Sequence, residues 1–124
     1  MEKKYILVVD DNSDVRTLVE DALQLFGLES RLAHNGSEAL AMIEEATPSA
    51  IVLDLMMPNI NGFSVLAMLH RAQAKAPIPV IVLSGLVDQA GHVARLPGVV
   101  GVMSKGDFNI TRLRSLLDRA GLAA

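Results

Sequence analysis

The sequence contains no cysteine and no tryptophan, and its aromatic side chains are limited to three phenylalanines and one tyrosine. Without cysteine the chain cannot be a disulfide-stapled scaffold or a zinc ribbon, and it cannot use a thiol as a nucleophile. With 124 residues it is still long enough to bury about two thirds of the surface of its unfolded chain. We therefore expect one self-sufficient domain, spanning residues 1–124, with a largely aliphatic core.

Strong charge of either sign and long hydrophobic runs are also missing. The formal net charge is −3, and no cluster of Lys and Arg offers a surface for nucleic-acid phosphates. The apolar run near the N-terminus meets Asp10 and Asp11 too soon for a signal peptide or a membrane span. The sequence thus predicts a cytoplasmic protein that binds neither nucleic acid nor membrane.

Short apolar runs alternate with stretches of helical period along the whole chain. The runs have the length and the Val, Ile and Leu content of buried parallel strands. The five predicted strands are residues 5–10, 28–33, 50–54, 80–84 and 99–104. Five helices are predicted, starting at Asn12 or Ser13, after Asn35, over residues 63–74 and 88–96, and after Asn109. Short right-handed crossovers then predict an α/β fold, a doubly wound parallel sheet with helices on both faces.

A polar residue stands where each of four buried runs ends. These residues are Asp10, Asp54, Ser84 and Lys105. Because the carboxyl ends of parallel strands meet at one edge of the sheet, where open α/β sheets bind ligands, we expect the four side chains to emerge together. Each alone has an ordinary explanation, such as helix capping by Ser84 or a surface position for Lys105. Only their joint placement indicates a site.

Asp11 adds a third carboxylate to this edge. Neighbouring carboxylates repel one another unless a cation lies between them, and ligands that are all oxygen favour a hard ion, of which Mg²⁺ fits best. A carboxylate can also attack phosphorus and carry an aspartyl-phosphate. Lys105 and Ser84 would hold oxygens of the phosphoryl group. The pattern predicts a magnesium-assisted phosphoryl site.

In this order, and at strand ends, these residues resemble the motifs of the receiver domains of two-component response regulators, the CheY-like superfamily. The resemblance covers essentially the whole chain. Its motifs are Asp10-Asp11, Asp54 with Pro58 and Gly62 downstream, Ser84-Gly85, and Lys105. It implies a flavodoxin-like fold with five helices and a five-stranded sheet in the order 2-1-3-4-5.

The resemblance also implies a role for each site residue. Asp54 would be the phospho-acceptor, and Ser84 and Lys105 would contact the phosphoryl group. The Mg²⁺ ligands would be Asp10, Asp11, Asp54 and the backbone carbonyl of Met56. A histidine kinase or phosphotransfer protein would be the donor, and a downstream protein or an output domain outside this chain would respond. Whether the domain forms a homodimer is left open.

Two positions depart from the family pattern. Val102 stands where the family usually has an aromatic residue that changes rotamer on activation. Gly106 stands where it usually has a proline, often joined by a cis bond. A cis bond before a residue other than proline costs about 2.5–4 kcal/mol, so we expect a trans Lys105–Gly106 peptide.

The resemblance implies a switch that is driven by phosphorylation of Asp54, and three other functions are alternatives to it. The domain would be a binding module with weakened or absent switching if Val102 and Gly106 uncouple the output face. A small Mg²⁺-dependent phosphatase with an aspartyl nucleophile ranks low, because the chain has no spare length for a lid over a substrate. A flavin-binding module ranks lower still, because no phosphate-binding loop follows the first strand. We therefore expect that the domain is not an enzyme.

Overall fold

The computed structural model describes residues 5–55, 64–68, 78–84, 95–96 and 98–122. The strands are β1 Ile6–Val9, β2 Ser30–Ala33, β3 Ala50–Leu53, β4 Val80–Ser84 and β5 Val99–Ser104. The helices are α1 Ser13–Leu25, α2 Gly36–Glu45, α3 at residues 64–68, and α4 Ile110–Arg119. A 3₁₀ turn, Lys105–Asp107, leads from β5 towards α4. Within these described ranges, none of the helices combines the length and the apolar character that crossing a membrane requires.

The five strands form one parallel sheet in the order β2-β1-β3-β4-β5, which confirms the predicted topology. β1 lies between β2 and β3, and its last residue, Val9, is paired with Ala33 on one side and with Leu53 on the other. The strand ends at this side of the sheet are therefore level with one another. One irregularity was not predicted: between Val80 and Ile81 the pairing on β5 skips a residue, which forms a bulge.

Successive residues of each strand face opposite sides of the sheet, so the sheet separates two hydrophobic cores. In β1, Leu7 and Val9 belong to the core beneath α2 and α3. Ile6 and Val8 belong to the core beneath α1 and α4. Helices thus cover both faces, as the sequence predicted, and the carboxyl edge of the sheet is left for polar residues.

Asparagine side chains begin three of the helices. Asn12, Asn35 and Asn109 accept hydrogen bonds from backbone N–H groups in the first turns of α1, α2 and α4. The residues Asn35-Gly36-Ser37-Glu38 resemble a capping box, and α2 has this motif in a shifted form. The carboxylate of Glu38 accepts the N–H of His34, one residue before the position that a regular capping box uses.

The second strand starts later than predicted because α1 ends in a tight turn. Gly27 has a φ of 75°, and the N–H of Leu28 donates to the carbonyl of Leu23 at 3.0 Å. This pair of features is the Schellman arrangement that closes many helices. Leu28 is therefore part of the turn, and β2 begins at Ser30.

Four of the five predicted helices are seen among the described residues. Residues 64–68 are helical, within the predicted third helix. Most of the predicted fourth helix, residues 88–96, lies outside the described residues. Its predicted last two residues, Arg95 and Leu96, belong to a turn and a bend and not to a helix. The Lys105–Gly106 peptide is trans, as predicted.

Candidate functional site

Asp10 and Asp54 lie side by side because the strands that precede them are in register. Val9 and Leu53 are partners in the ladder, and the N–H of Asp54 donates to the Val9 carbonyl at 2.9 Å. Both aspartates are 1% exposed. The alignment of β1 and β3 therefore holds two buried carboxylates at the carboxyl edge of the sheet.

Two further contacts orient Asp10. The N–H of Asn12 donates to its Oδ1 at 2.9 Å. Arg16, on the first turns of α1, donates from Nη1 to the backbone carbonyl of Asp10 at 2.6 Å. Arg16 is only 8% exposed, so this charge-assisted hydrogen bond is shielded from water. The loop between β1 and α1 is consequently held through both its backbone and its side chains.

Asp11 is exposed and completes a group of three carboxylates. One oxygen from each of Asp10, Asp11 and Asp54 lies within 4.8 Å of the other two. Oδ2 of Asp10 is buried and makes no hydrogen bond among the described residues, but the Lys105 ammonium lies 3.0 Å from it. Three carboxylates this close repel one another, and a single ammonium does not balance their negative charge. The all-oxygen donor set and the remaining negative charge fit a hard divalent ion such as Mg²⁺.

Lys105 reaches the same carboxylates from the end of β5. Its Nζ donates to Oδ2 of Asp54 at 3.1 Å and to Oδ1 of Asp10 at 3.3 Å, and lies 3.0 Å from Oδ2 of Asp10. Partial burial by itself lowers the pKa of Lys105, but hydrogen bonds to Asp10 and Asp54 and their negative charges outweigh it. The pKa of Lys105 is therefore raised above its usual value. The ammonium bridges the two buried acids.

Two predicted site residues, Ser84 and Met56, remain to be placed. The backbone of Ser84 ends β4 at the same edge as the acids, opposite Ser104 of β5. The side chain of Ser84 and all of Met56 lie outside what the structure describes. The roles of the Ser84 hydroxyl and the Met56 carbonyl stay predictions.

The two departures from the family pattern lie on the β5 side of the site. Val102 is half-buried and packs against the core beneath α2 and α3. It also lines an open groove beside α4, together with Met103 and Thr111. Gly106 is exposed in the 3₁₀ turn that carries Lys105. The β5 side of the site thus carries an aliphatic side chain and a glycine at these two positions.

Sequence reasoning missed three residues that shape the site. Asn12 was expected only as a helix cap, although its own N–H also binds Asp10. Arg16 has a signal that was overlooked, because it lies three residues before Val19 on the buried side of α1. A basic residue on the apolar face of a helix needs a buried partner. Ser104, which binds the N–H of Gly106, gave no comparable signal.

Known proteins are similar in sequence to this chain over nearly its whole length. The family described as "Response regulator receiver domain" matches residues 6–118. The transcriptional regulatory protein PrrA of Mycobacterium leprae is 42% identical over 123 residues, which are 96% of this chain and 52% of that protein. A protein-glutamate methylesterase/protein-glutamine glutaminase of Rhodospirillum rubrum is 35% identical over 96% of this chain and 34% of its own length.

The fold is also that of solved receiver structures. The receiver domain of NtrX from Brucella abortus superposes with a TM-score of 0.83 at 31% identity, covering 93% of this chain and 96% of that one. The present chain spans about half the length of several curated relatives that it matches. The family match, the sheet order and the three aspartates at the carboxyl edge all support one assignment. The chain belongs to the response-regulator receiver domains of two-component signal transduction.

Proposed function

We propose that this receiver domain takes a phosphoryl group from the phosphohistidine of a histidine kinase onto the carboxylate of Asp54. One observation carries the assignment to this residue. Asp54 follows β3, the middle strand of the sheet, and there it lies within the group of three acids and 3.1 Å from the Lys105 ammonium. A nucleophilic carboxylate beside a cation site and a fixed positive charge is what phosphoryl transfer to aspartate requires.

The transfer forms one bond and breaks one. An oxygen of Asp54 bonds to phosphorus while the P–N bond to the kinase histidine breaks, and the electron pair of that bond remains on the imidazole nitrogen. Mg²⁺, when bound by Asp10, Asp11 and the Met56 carbonyl, supplies positive charge beside the phosphoryl oxygens. Lys105 exchanges its hydrogen bonds to the acids for one to a phosphoryl oxygen. The Ser84 hydroxyl donates to another.

In this proposal the domain is the substrate of the histidine kinase and then acts as a switch. It does not catalyse a reaction of a small molecule. It acts in the cytoplasm, where the kinase presents its phosphohistidine, and binds neither nucleic acid nor membrane through residues 1–124. Its output is made by a downstream protein or by a further part of a longer protein. The relatives support that last point, because the chain corresponds to 52% of PrrA and 34% of the methylesterase.

Incubation with Mg²⁺ and acetyl phosphate, followed by intact mass spectrometry, tests the acceptor. We expect a single phosphate-sized mass gain that hydroxylamine reverses, as an acyl phosphate should. Asp54→Asn keeps the shape of the side chain but removes the nucleophile, so the gain should vanish. Chelation of Mg²⁺ should slow the labelling by at least about tenfold, since the cation neutralises developing charge.

Asp21→Asn is the matched control, because Asp21 is an exposed acid of α1 away from the sheet edge. This variant should be labelled at the rate of the unchanged protein. Labelling that survives in Asp54→Asn, or that is absent from the unchanged protein at saturating donor, would show that Asp54 is not the acceptor.

A further inference from the structure

Lys105 stands on a stretch of backbone that has little intrinsic rigidity. It is the first residue of the three-residue 3₁₀ turn Lys105–Asp107, and the next residue is Gly106. A Cβ built on Gly106 would meet nothing closer than Oγ of Ser104 at 3.7 Å, so close packing does not require glycine there. Glycine leaves the chain free to adopt many conformations. Some other contact must restrain the turn if Nζ is to stay between two buried carboxylates.

Ser104 provides such a contact. It is the last residue of β5, where its pairing with Ser84 anchors it to the sheet. Its backbone is extended, with φ −79° and ψ 139°, and its Oγ accepts the N–H of Gly106 at 3.3 Å. The bond closes a loop of three residues, and Lys105 is the residue in the middle. The hydroxyl of the residue before the lysine thus binds the backbone of the residue after it.

We propose that Ser104 is a positioning residue: by capping the N–H of Gly106, it holds the Lys105 ammonium between Asp10 and Asp54. This inference rests on the proposed function for its role in phosphoryl transfer, but the positioning itself is a property of the unphosphorylated protein. Ser104 touches neither the acids nor the phosphoryl group in this scheme. Its whole effect passes through Lys105.

The first experiment compares initial rates of Asp54 labelling by acetyl phosphate with Mg²⁺. Ser104→Ala should lower the rate about three- to tenfold, the range expected for losing one hydrogen bond that orients a reacting charge. Ser104→Thr keeps an Oγ in the same place and should retain at least about half of the original rate. Gly106→Ala keeps the N–H and should behave like the unchanged protein, whereas Gly106→Pro removes the donor and should resemble Ser104→Ala.

A double-mutant cycle separates positioning from a general loss of stability. In the Lys105→Ala background, Ser104→Ala should cause no further decrease in rate, because the group that Ser104 positions is already gone. A purely structural serine would instead lower the rate by the same factor in both backgrounds. Equal factors, or full activity in Ser104→Ala, would overturn the proposal.

A second measurement does not depend on phosphorylation. Trace acetylation of the amines by acetic anhydride, resolved by peptide mass spectrometry, reports how firmly Lys105 is held. We expect Ser104→Ala to raise the acetylation rate of Lys105 at least about twofold. Lys75, on a separate part of the chain, serves as the internal reference.

Ser104→Thr should leave the reactivity of Lys105 unchanged. If the protein is not phosphorylated at all but Lys105 becomes more reactive in Ser104→Ala, the proposed function fails while the positioning stands. If the reactivity of Lys105 does not change in that variant, the positioning fails whatever the phosphorylation result.

Discussion

Tyr5 combines a hydrophobic position with a polar contact at the amino end of the sheet. The side chain is 2% exposed, its hydroxyl donates to the carbonyl of Ala46, and the Arg31 guanidinium lies 4.2 Å from the centre of its ring. Burial raises the pKa of Tyr5; the charge of Arg31 lowers it in part, and the charge of Glu45 raises it further. The net effect is a pKa above the ordinary value.

Because Tyr5 is the only tyrosine and the chain has no tryptophan, its ionisation can be followed directly by near-ultraviolet absorbance. We expect the pKa of the phenol to be higher in the folded protein than in urea, where it should lie near 10. A raised folded pKa means that its contribution to stability is complete below the unfolded value and is lost as pH rises through the folded value. The free energy of unfolding should therefore decline above about pH 10.

Tyr5→Phe removes this titration, so its free energy of unfolding should decline less steeply over the same alkaline range. Lys105, whose pKa is also raised, should account for part of the decline that remains. Urea unfolding at a series of alkaline pH values measures both slopes. An identical slope in Tyr5→Phe and in the unchanged protein would show that folding does not perturb the phenol.

At the scale of elements, the packing of α4 on β5 depends on a glycine in the strand. A Cβ on Gly101 would lie 2.3 Å from Cδ2 of Leu116, which is fully buried in the core beneath α1 and α4. The leucine fills the space that a side chain at residue 101 would occupy. Helix and strand can therefore approach closely only because this residue of β5 has no side chain.

We predict that Gly101→Ala lowers the free energy of unfolding by about 1–3 kcal/mol, the usual cost of overpacking a core. Adding Leu116→Ala should relieve the clash, so that the double variant is more stable than the sum of the two single effects predicts. Gly106→Ala is the control, with an expected change within about 0.5 kcal/mol, because a Cβ there meets only an ordinary contact. Strict additivity in urea unfolding would contradict the steric explanation.

The elements also show what the sequence could and could not predict. The end of a strand is visible in the sequence as the point where an apolar run stops. The locations of Asp10, Asp54 and Lys105 therefore followed from the pattern of apolar runs and from the parallel topology. The bulge in β5, the close approach at Gly101 and the hydrogen bond from Arg16 to a backbone carbonyl were not predicted. They depend on the exact path of the backbone and on rotamers, which periodicity does not specify.

On the scale of the whole molecule, the site joins parts of the chain that are far apart in sequence. Lys105 and Asp10 are 95 positions apart, and Lys105 and Asp54 are 51 apart. The ammonium links the acids that follow β1 and β3 to the end of β5. A phosphoryl group on Asp54 would draw Lys105 away from Asp10. The 3₁₀ turn that carries Lys105 and the start of α4 would move with it.

The contact of Lys105 with both acids predicts how far from Asp54 the effects of phosphorylation extend. With Mg²⁺ and beryllofluoride, a phosphoryl mimic, we expect amide signals in ¹⁵N–¹H spectra to shift at the site and also at Val102, Met103 and Thr111, which line the groove beside α4. Gln24, at the exposed end of α1, should stay unchanged. The physical reason is that β5 and the turn after it are the elements that carry Lys105.

Asp54→Asn with the same reagents, and the unchanged protein with Mg²⁺ alone, separate the phosphoryl mimic from the cation. Neither should shift the groove signals. If beryllofluoride binds but shifts remain confined to the ends of β1 and β3, then Val102 does not transmit the change from Asp54 to the groove. The domain would then be a receiver that is phosphorylated without switching its β5 surface, because the charge at Asp54 would not reach the groove.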